Sequence, residues 1–356
     1  MRCLKGESLP KDYGKLNVAV RLVALKLLTA LTYSKASRSS KQEDDGMNGK
    51  VISVIMLNVC IFLLASAVAA VQLPGPLVDT EWLATNMDKD KIVVLDVRRE
   101  SDVSKHGFIP RSRLWKWDNV RVDRVINGVA LESMVPTSEQ FETIMRDLGI
   151  NNDTPVVIVP MSSDTSSLTM GTRAFWTFKY FGHDNVALLD GGTTKWIDEK
   201  REVSTLSAEA KEAGNLKVKS QNEDIAASTE EITAASRNKK VQLIDGRTPD
   251  FYLGEKKKEY VYAKGHIPGA RNFPPALLID PSTNAFKPVS ELRQLLSDNG
   301  VDVNKAVITY CDSGHLSTGI WFVLHELIGS KNVKLYDGSM HEWTKDDKRP
   351  VTMKEE

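Results

Sequence analysis

A long internal repeat constrains this chain more than any other feature. The apolar run Ile92-Val93-Val94-Leu95 leads into Asp96-Val97-Arg98, and 149 positions later residues 241–247 do the same, ending in Asp245-Gly246-Arg247. Apolar runs at 156–159 and 306–310 follow, then aromatic-rich helical stretches at 175–181 and 321–328. Runs at 185–189 and 332–335 each end in an Asp-Gly turn, Asp190-Gly191 or Asp337-Gly338, with Trp196 or Trp343 six residues after the aspartate. Short β-branched runs alternating with helical stretches predict βα units, hence a parallel sheet covered by helices on both faces. A period near 150 residues marks a duplicated domain, because solenoid units are only roughly 20–50 residues long. The expected fold is therefore α/β, with two tandem domains of this kind.

The first 70 residues stand outside that repeat. Residues 51–70 carry no charge, follow Lys50, and end in small residues around Ala67-Val68-Ala69, the layout of a secretory signal. Cleavage near Ala69-Ala70 and export to the periplasm are expected, with the start at either Met1 or Met47. An uncleaved anchor is the alternative, since about 20 apolar residues span a bilayer; membrane contact is expected only through this segment. The resulting division is 1–70 as extension and signal, 71–205 as one domain and 206–356 as the next, with the polar, aromatic-free stretch 201–240 read as a linker plus the first strand and helix of the second domain.

Removing that segment changes the charge balance. The whole chain has 47 Lys+Arg against 47 Asp+Glu, but residues 1–70 carry 10 basic and 5 acidic side chains, which leaves 37 against 42. A mildly acidic protein offers no broad basic face, so nucleic acid is not an expected partner. Of Cys3, Cys60 and Cys311, only Cys311 remains, too few for a disulfide framework and worth reading as a reactive thiol.

Cys311 lies in Tyr310-Cys311-Asp312-Ser313-Gly314-His315-Leu316-Ser317-Thr318, between a predicted strand and a predicted helix. The carboxyl end of a parallel strand is where open α/β sheets place ligands. Loop N–H groups and the start of the following helix favour a thiolate and an anion beside it. Gly314 permits a turn that a Cβ would resist, and Ser317 and Thr318 can donate to the sulfur or cap the helix. A buried, inert cysteine is the competing reading.

Taken together, Asp245-Gly246-Arg247, Gly265-His266-Ile267-Pro268-Gly269-Ala270, Cys311-x-x-Gly314-x-x-Ser317 and Tyr336-Asp337-Gly338 with Trp343 resemble the tandem-domain rhodanese sulfurtransferases. The resemblance implies a working second domain and a silent first one, and the strand alignment sets Met161 where Cys311 stands. It implies transfer of a sulfane sulfur from a small anionic donor, thiosulfate or 3-mercaptopyruvate, to a thiol or cyanide through a Cys311 persulfide, without metal or organic cofactor. It also implies a donor-binding role for Arg247 and for the loop residues Asp312, Ser313, Gly314, His315, Leu316 and Ser317. Asp312 and Ser313 stand where thiosulfate-preferring members carry basic residues, and a carboxylate there disfavours a dianion. Leu316 also takes a place often held by arginine. His315 either carries a proton to offset this or simply faces solvent.

Several features carry bland expectations. His106, His183, His266, His325 and His341 lack zinc-site spacing. Trp176, Trp196, Trp321 and Trp343 read as core aromatics, Asp96 and Asp245 as residues that fix turns at strand ends. The stretch 161–172 reads as a loop about three residues longer than its counterpart, and 255–258 as a charged loop whose lysines can draw in an anion. A cysteine phosphatase would need an arginine where Ser317 stands, six residues after the cysteine. A non-enzymatic sulfur carrier or redox-partner module is the stronger rival.

Overall fold

The apolar runs become the central strands of two parallel sheets. The computed structural model describes residues 72–88, 92–103 and 105–353; the signal segment and its cleavage site lie outside them. The first half contains β1 (Leu77–Val78), β2 (Val93–Arg98), β3 (Arg113–Lys116), β4 (Val122–Ile126), β5 (Val129–Met134), β6 (Val156–Pro160) and β7 (Val186–Leu189). Five of these make a sheet in the order β1-β7-β6-β2-β3, parallel throughout, while β4 and β5 pair as a separate antiparallel hairpin. The second half contains β8 (Gln242–Asp245), β9 (Ala270–Asn272), β10 (Val307–Tyr310) and β11 (Val333–Leu335), parallel in the order β11-β10-β8-β9. Every residue of β2, β6, β7 and β10 is buried, which is why these strands read as continuous apolar runs and not as alternation.

Two local expectations are corrected. The stretch 201–240 supplies no strand: a 3-10 turn at Glu223–Ile225 leads to an isolated bridge, Ala226 to Leu335, and the helix Thr229–Asn238 starts at once. The cause is the capping box of Ser228 and Glu231, whose side chains satisfy each other's backbone N–H groups. Before it, the linker runs along the first domain, donating from Gly214 to the Arg146 carbonyl and from Leu216 to the Ile150 carbonyl. The stretch 161–172 is mostly helix, because Asp164 caps the helix Thr165–Tyr180; the helix of the second half starts only at Ser317 and passes after Phe322 into a π turn.

One apolar core runs through both halves. The helix Thr165–Tyr180 packs on the helix Ser317–Phe322, with Phe175 edge-on to Phe322 at 4.9 Å between centroids. Gly319 allows that approach: a Cβ there would come within 3.0 Å of the Thr169 methyl and 3.3 Å of Pro275. Trp176, Trp196, Trp321 and Trp343 are all buried, as expected of core aromatics. The described residues thus form one compact unit, and a shared apolar core of this kind opposes relative domain motion.

Candidate active site

The loop after β10 lies against the first domain. Cys311 is 2% exposed, and its sulfur accepts the His315 backbone N–H at 3.2 Å and the Ser317 hydroxyl at 3.5 Å. The loop's own backbone is fixed from below. The Cys311 and Gly314 N–H groups both donate to Ser339 Oγ, at 3.1 and 3.0 Å, and that hydroxyl donates to the Tyr336 carbonyl at 2.9 Å. The Cys311 carbonyl accepts from Met340 N and the Asp312 carbonyl from His341 N, both at 3.0 Å.

Two left-handed residues make this geometry. Gly314 has φ +62, and a Cβ there would sit 2.4 Å from Asp337 Oδ1 and 2.8 Å from Arg173 Nη1, so glycine is required sterically as well as conformationally. Ser339 has φ +51, a conformation that costs a side-chain-bearing residue about 1–3 kcal/mol and tends to occur at functional sites. The matching residue of the first domain, Gly192, has φ +56. A serine in this strained position supplies the hydroxyl that gathers the two N–H groups.

The other residues expected at the site fall as follows. Arg247 is buried, with Nε and Nη2 on the Asp245 carboxylate, Nη2 also on the Gly265 carbonyl at 2.8 Å, and Nη1 toward Asp312 Oδ1 at 3.5 Å. Burial works against its charge, but Asp245 outweighs burial and holds the guanidinium protonated. Arg98 makes the same clasp on Asp96 in the first domain and reaches the His106 and Gly107 carbonyls. Asp96 and Asp245 therefore both anchor arginines, and Asp245 also closes its turn by accepting the Arg247 N–H at 2.9 Å. Asp312 is buried beside Cys311, and its carboxyl is pushed up to about 6 by burial, against the opposing charge of Arg247. Ser313 meets Tyr260 Oη at 3.4 Å. Leu316 is half-buried at the start of the helix and accepts the Gly319 N–H at 3.1 Å. Thr318 turns from the sulfur to the His315 carbonyl and Thr172 Oγ1.

His315 corrects both of its expected roles. Its ring is 4.5 Å from Trp117, and Nε2 lies 3.0 Å from the Ser166 carbonyl and 3.1 Å from Thr169 Oγ1. Burial, then the charge of Arg121, holds the imidazole well below its usual range, so it is neutral at pH 7 and ties the loop to the first domain. It reaches the sulfur through its main chain.

The sequence reading missed the first domain's share of the site. Arg173 Nη1 donates to the Gly314 carbonyl at 2.8 Å and pairs with Asp337 Oδ1, while Asp337 Oδ2 accepts the Val135 N–H at 2.8 Å. Arg121 Nη1 donates to Ser313 Oγ at 3.2 Å, and its guanidinium lies 4.3 Å from the centre of the Trp117 ring. The signal for Arg173 was a lone charge within the otherwise uncharged stretch 165–178; Arg121, in a mixed-charge stretch, gave none. Among the described residues no group of three or more His, Cys, Asp or Glu could hold a metal.

Comparison with known proteins agrees with this geometry. The family model described as a rhodanese-like domain matches residues 79–199 and again 228–346. The sulfur carrier protein TtuD of Thermus thermophilus is 33% identical over 76% of this chain and 94% of its own. A Saccharopolyspora erythraea protein bearing the name of a thiosulfate sulfurtransferase is 33% identical over 75% of this chain and 92% of its own. Among solved structures, SseA of Escherichia coli, presented with the 3-mercaptopyruvate sulfotransferases and the rhodanese fold, superposes with a TM-score of 0.64 at 25% identity, covering 74% of this chain and 98% of that one. With both halves matched and the parallel α/β architecture shared, the chain belongs to the rhodanese family of sulfurtransferases, as a protein of two rhodanese-like domains.

Proposed function

We propose that the protein moves a sulfane sulfur from thiosulfate or a related donor, such as 3-mercaptopyruvate, to cyanide or a thiol through a persulfide on Cys311. The observation that carries this reading is the pair of donors, His315 N–H and Ser317 O–H, aimed at a single buried sulfur at the carboxyl end of β10.

The Cys311 thiolate attacks the outer sulfur of thiosulfate, the donor's S–S bond breaks, and sulfite leaves with the electron pair. With 3-mercaptopyruvate the C–S bond breaks instead, and the carbon keeps the pair and takes a proton to give pyruvate. Cyanide or a thiolate then attacks the terminal sulfur, the Cys311 thiolate leaves, and the acceptor departs with the sulfur. One displacement becomes two easier ones, and neither needs an added oxidant or reductant. The two donors on Sγ stabilise charge carried by the bound sulfur. Arg247 contributes through Nη1, the nitrogen facing Asp312, and Met161 makes the first domain silent. Export after cleavage near Ala69-Ala70 belongs to the same proposal, tested by N-terminal sequencing of the exported protein: an intact Met1 overturns it.

The test of function is intact-protein mass spectrometry after incubation with thiosulfate or 3-mercaptopyruvate. A gain of one sulfur on Cys311 that cyanide removes is expected. No gain with either donor overturns the proposal. The name of the Thermus relative favours a second reading, a sulfur carrier; it shares the persulfide, and retention of the sulfur in excess cyanide and small thiols distinguishes it.

A further inference from the structure

Resting on the reading just proposed, we infer that Arg121, a residue of the silent domain, binds the anionic end of the sulfur donor and thereby selects small donors that carry a single carboxylate or comparable negative group. Three arginines surround the Cys311 loop, and two of them are neutralised: Arg247 by Asp245 and Arg173 by Asp337. Among the described residues no carboxylate lies within ion-pair distance of Arg121. Its one polar contact is with a neutral hydroxyl, Ser313 Oγ, and its Nε is buried without a partner.

The side chain is also held in place. Trp117 supports the guanidinium on its ring face, a favourable cation–π arrangement, and Arg121 lines an open cavity of about 420 Å³ together with Trp117, Asp118, Val122, Asp123 and Ser133. Of the two carboxylates there, Asp123 is occupied by the Ser133 N–H at 3.1 Å. Burial, then Arg173, lowers Arg121 to about 10, while Tyr260, Cys311 and Asp337 act in the opposite direction; the group is cationic at pH 7 and within electrostatic reach of the sulfur. An arginine fork suits a planar carboxylate bidentately. A second negative charge on the donor would face Asp312, buried beside Cys311.

Alkylation of Cys311 in the full protein tests this without any sulfur transfer, using iodoacetate as the anionic probe and iodoacetamide as its neutral match. The ratio of the two rates should fall roughly tenfold or more in Arg121→Gln, the loss of one charge-assisted contact, with the iodoacetamide rate retained; Arg121→Lys should recover most of the ratio. An unchanged ratio in Arg121→Gln overturns the inference. Should that variant fail to fold, the wild-type protein decides: pyruvate should slow its alkylation by iodoacetamide in a salt-sensitive manner, and absence of such protection overturns the inference. If Cys311 acquires no sulfur from any donor yet the alkylation ratio responds to Arg121, the sulfurtransferase reading fails, and of this inference only anion binding by Arg121 stands; the reverse pattern sinks only this inference.

Discussion

After β6 the first domain places Met161, whose carbonyl accepts the Thr194 N–H at 3.0 Å; after β10 the second places Cys311, whose carbonyl accepts the Met340 N–H at the same distance. The frame beneath the two residues is shared, and the loops above them diverge. In the first, Asp164 takes the Ser167 N–H at 2.6 Å and starts the helix at Thr165, five residues after β6 ends. In the second, no side chain caps the helix that begins at Ser317, and the His315 N–H turns to the sulfur. Below the loops, Gly192 faces Ser339 across the repeat, and only the serine can hold the Cys311 and Gly314 N–H groups. Duplication preserved the scaffold, while a cap consumed the donors in one copy and left them aimed at a nucleophile in the other.

The largest effects should come from exchanging the residues that differ. Cys311→Ser should lower turnover at least roughly 10³-fold, as loss of a nucleophile does, and Met161→Cys should not acquire sulfur in the same mass-spectrometric assay. Sulfur gained at position 161 would break the comparison, because it would mean that the uncapped loop is dispensable.

The next effect tests the first domain's contribution. Arg173→Met leaves the Asp337 carboxylate and the Gly314 carbonyl without their partner, a loss of about 3–5 kcal/mol for half of a buried pair. Urea denaturation should show that drop. A variant as stable as the wild type would mean that the second domain holds its loop unaided.

Ser339→Gly copies the first domain's residue into the second. Loss of three hydrogen bonds worth about 1 kcal/mol each exceeds the relief of about 1 kcal/mol or more of left-handed strain, so stability should fall by about 1–2 kcal/mol. Turnover should fall about 10- to 100-fold as the Cys311 and Gly314 N–H groups lose their acceptor. Unchanged kcat would remove Ser339 from the explanation of why one copy works.

The smallest effect is the pH response. Burial, helped by Asp245 and opposed by Arg247 and Lys258, pushes Asp312 up to about 6, so its negative charge grows as pH rises through that value. The kcat/KM for dianionic thiosulfate should rise severalfold as pH falls toward 6, and Asp312→Asn should flatten that step. Stability follows the same proton: between the unfolded value of 3.8 and about 6 the folded state binds more protons, so Asp312 lowers stability as pH rises through this window. A step that persists in Asp312→Asn assigns it to another group.

The sequence carried the strands and helices well where apolar runs were long. β2, β6, β7 and β10 lie where Val and Ile runs predicted them, and the four repeated tryptophans are in the core. It misjudged the stretch 161–172, where capping by Asp164 starts a helix, and the strand expected within 201–240, where the expected helix, capped by Ser228 with Glu231, follows a 3-10 turn directly. Within the candidate site, Cys311, Gly314 and Ser317 were legible because their spacing is local. The ring of His315 was not, since its neutrality depends on Trp117 and Arg121, nearly 200 residues away in the chain.

By itself the sequence determined a duplicated parallel α/β fold and one thiol at a strand end, because strand periodicity and turn residues act over a few neighbouring positions. Only the tertiary structure decided which charges remain unpaired around that thiol. Asp245 and Asp337 neutralise Arg247 and Arg173, leaving Arg121, of these three arginines, without a carboxylate in ion-pair distance among the described residues. Arg247 and Asp245 stand two residues apart, but the Arg173–Asp337 pair and the isolation of Arg121 depend on distances across the domain boundary, which linear order does not encode.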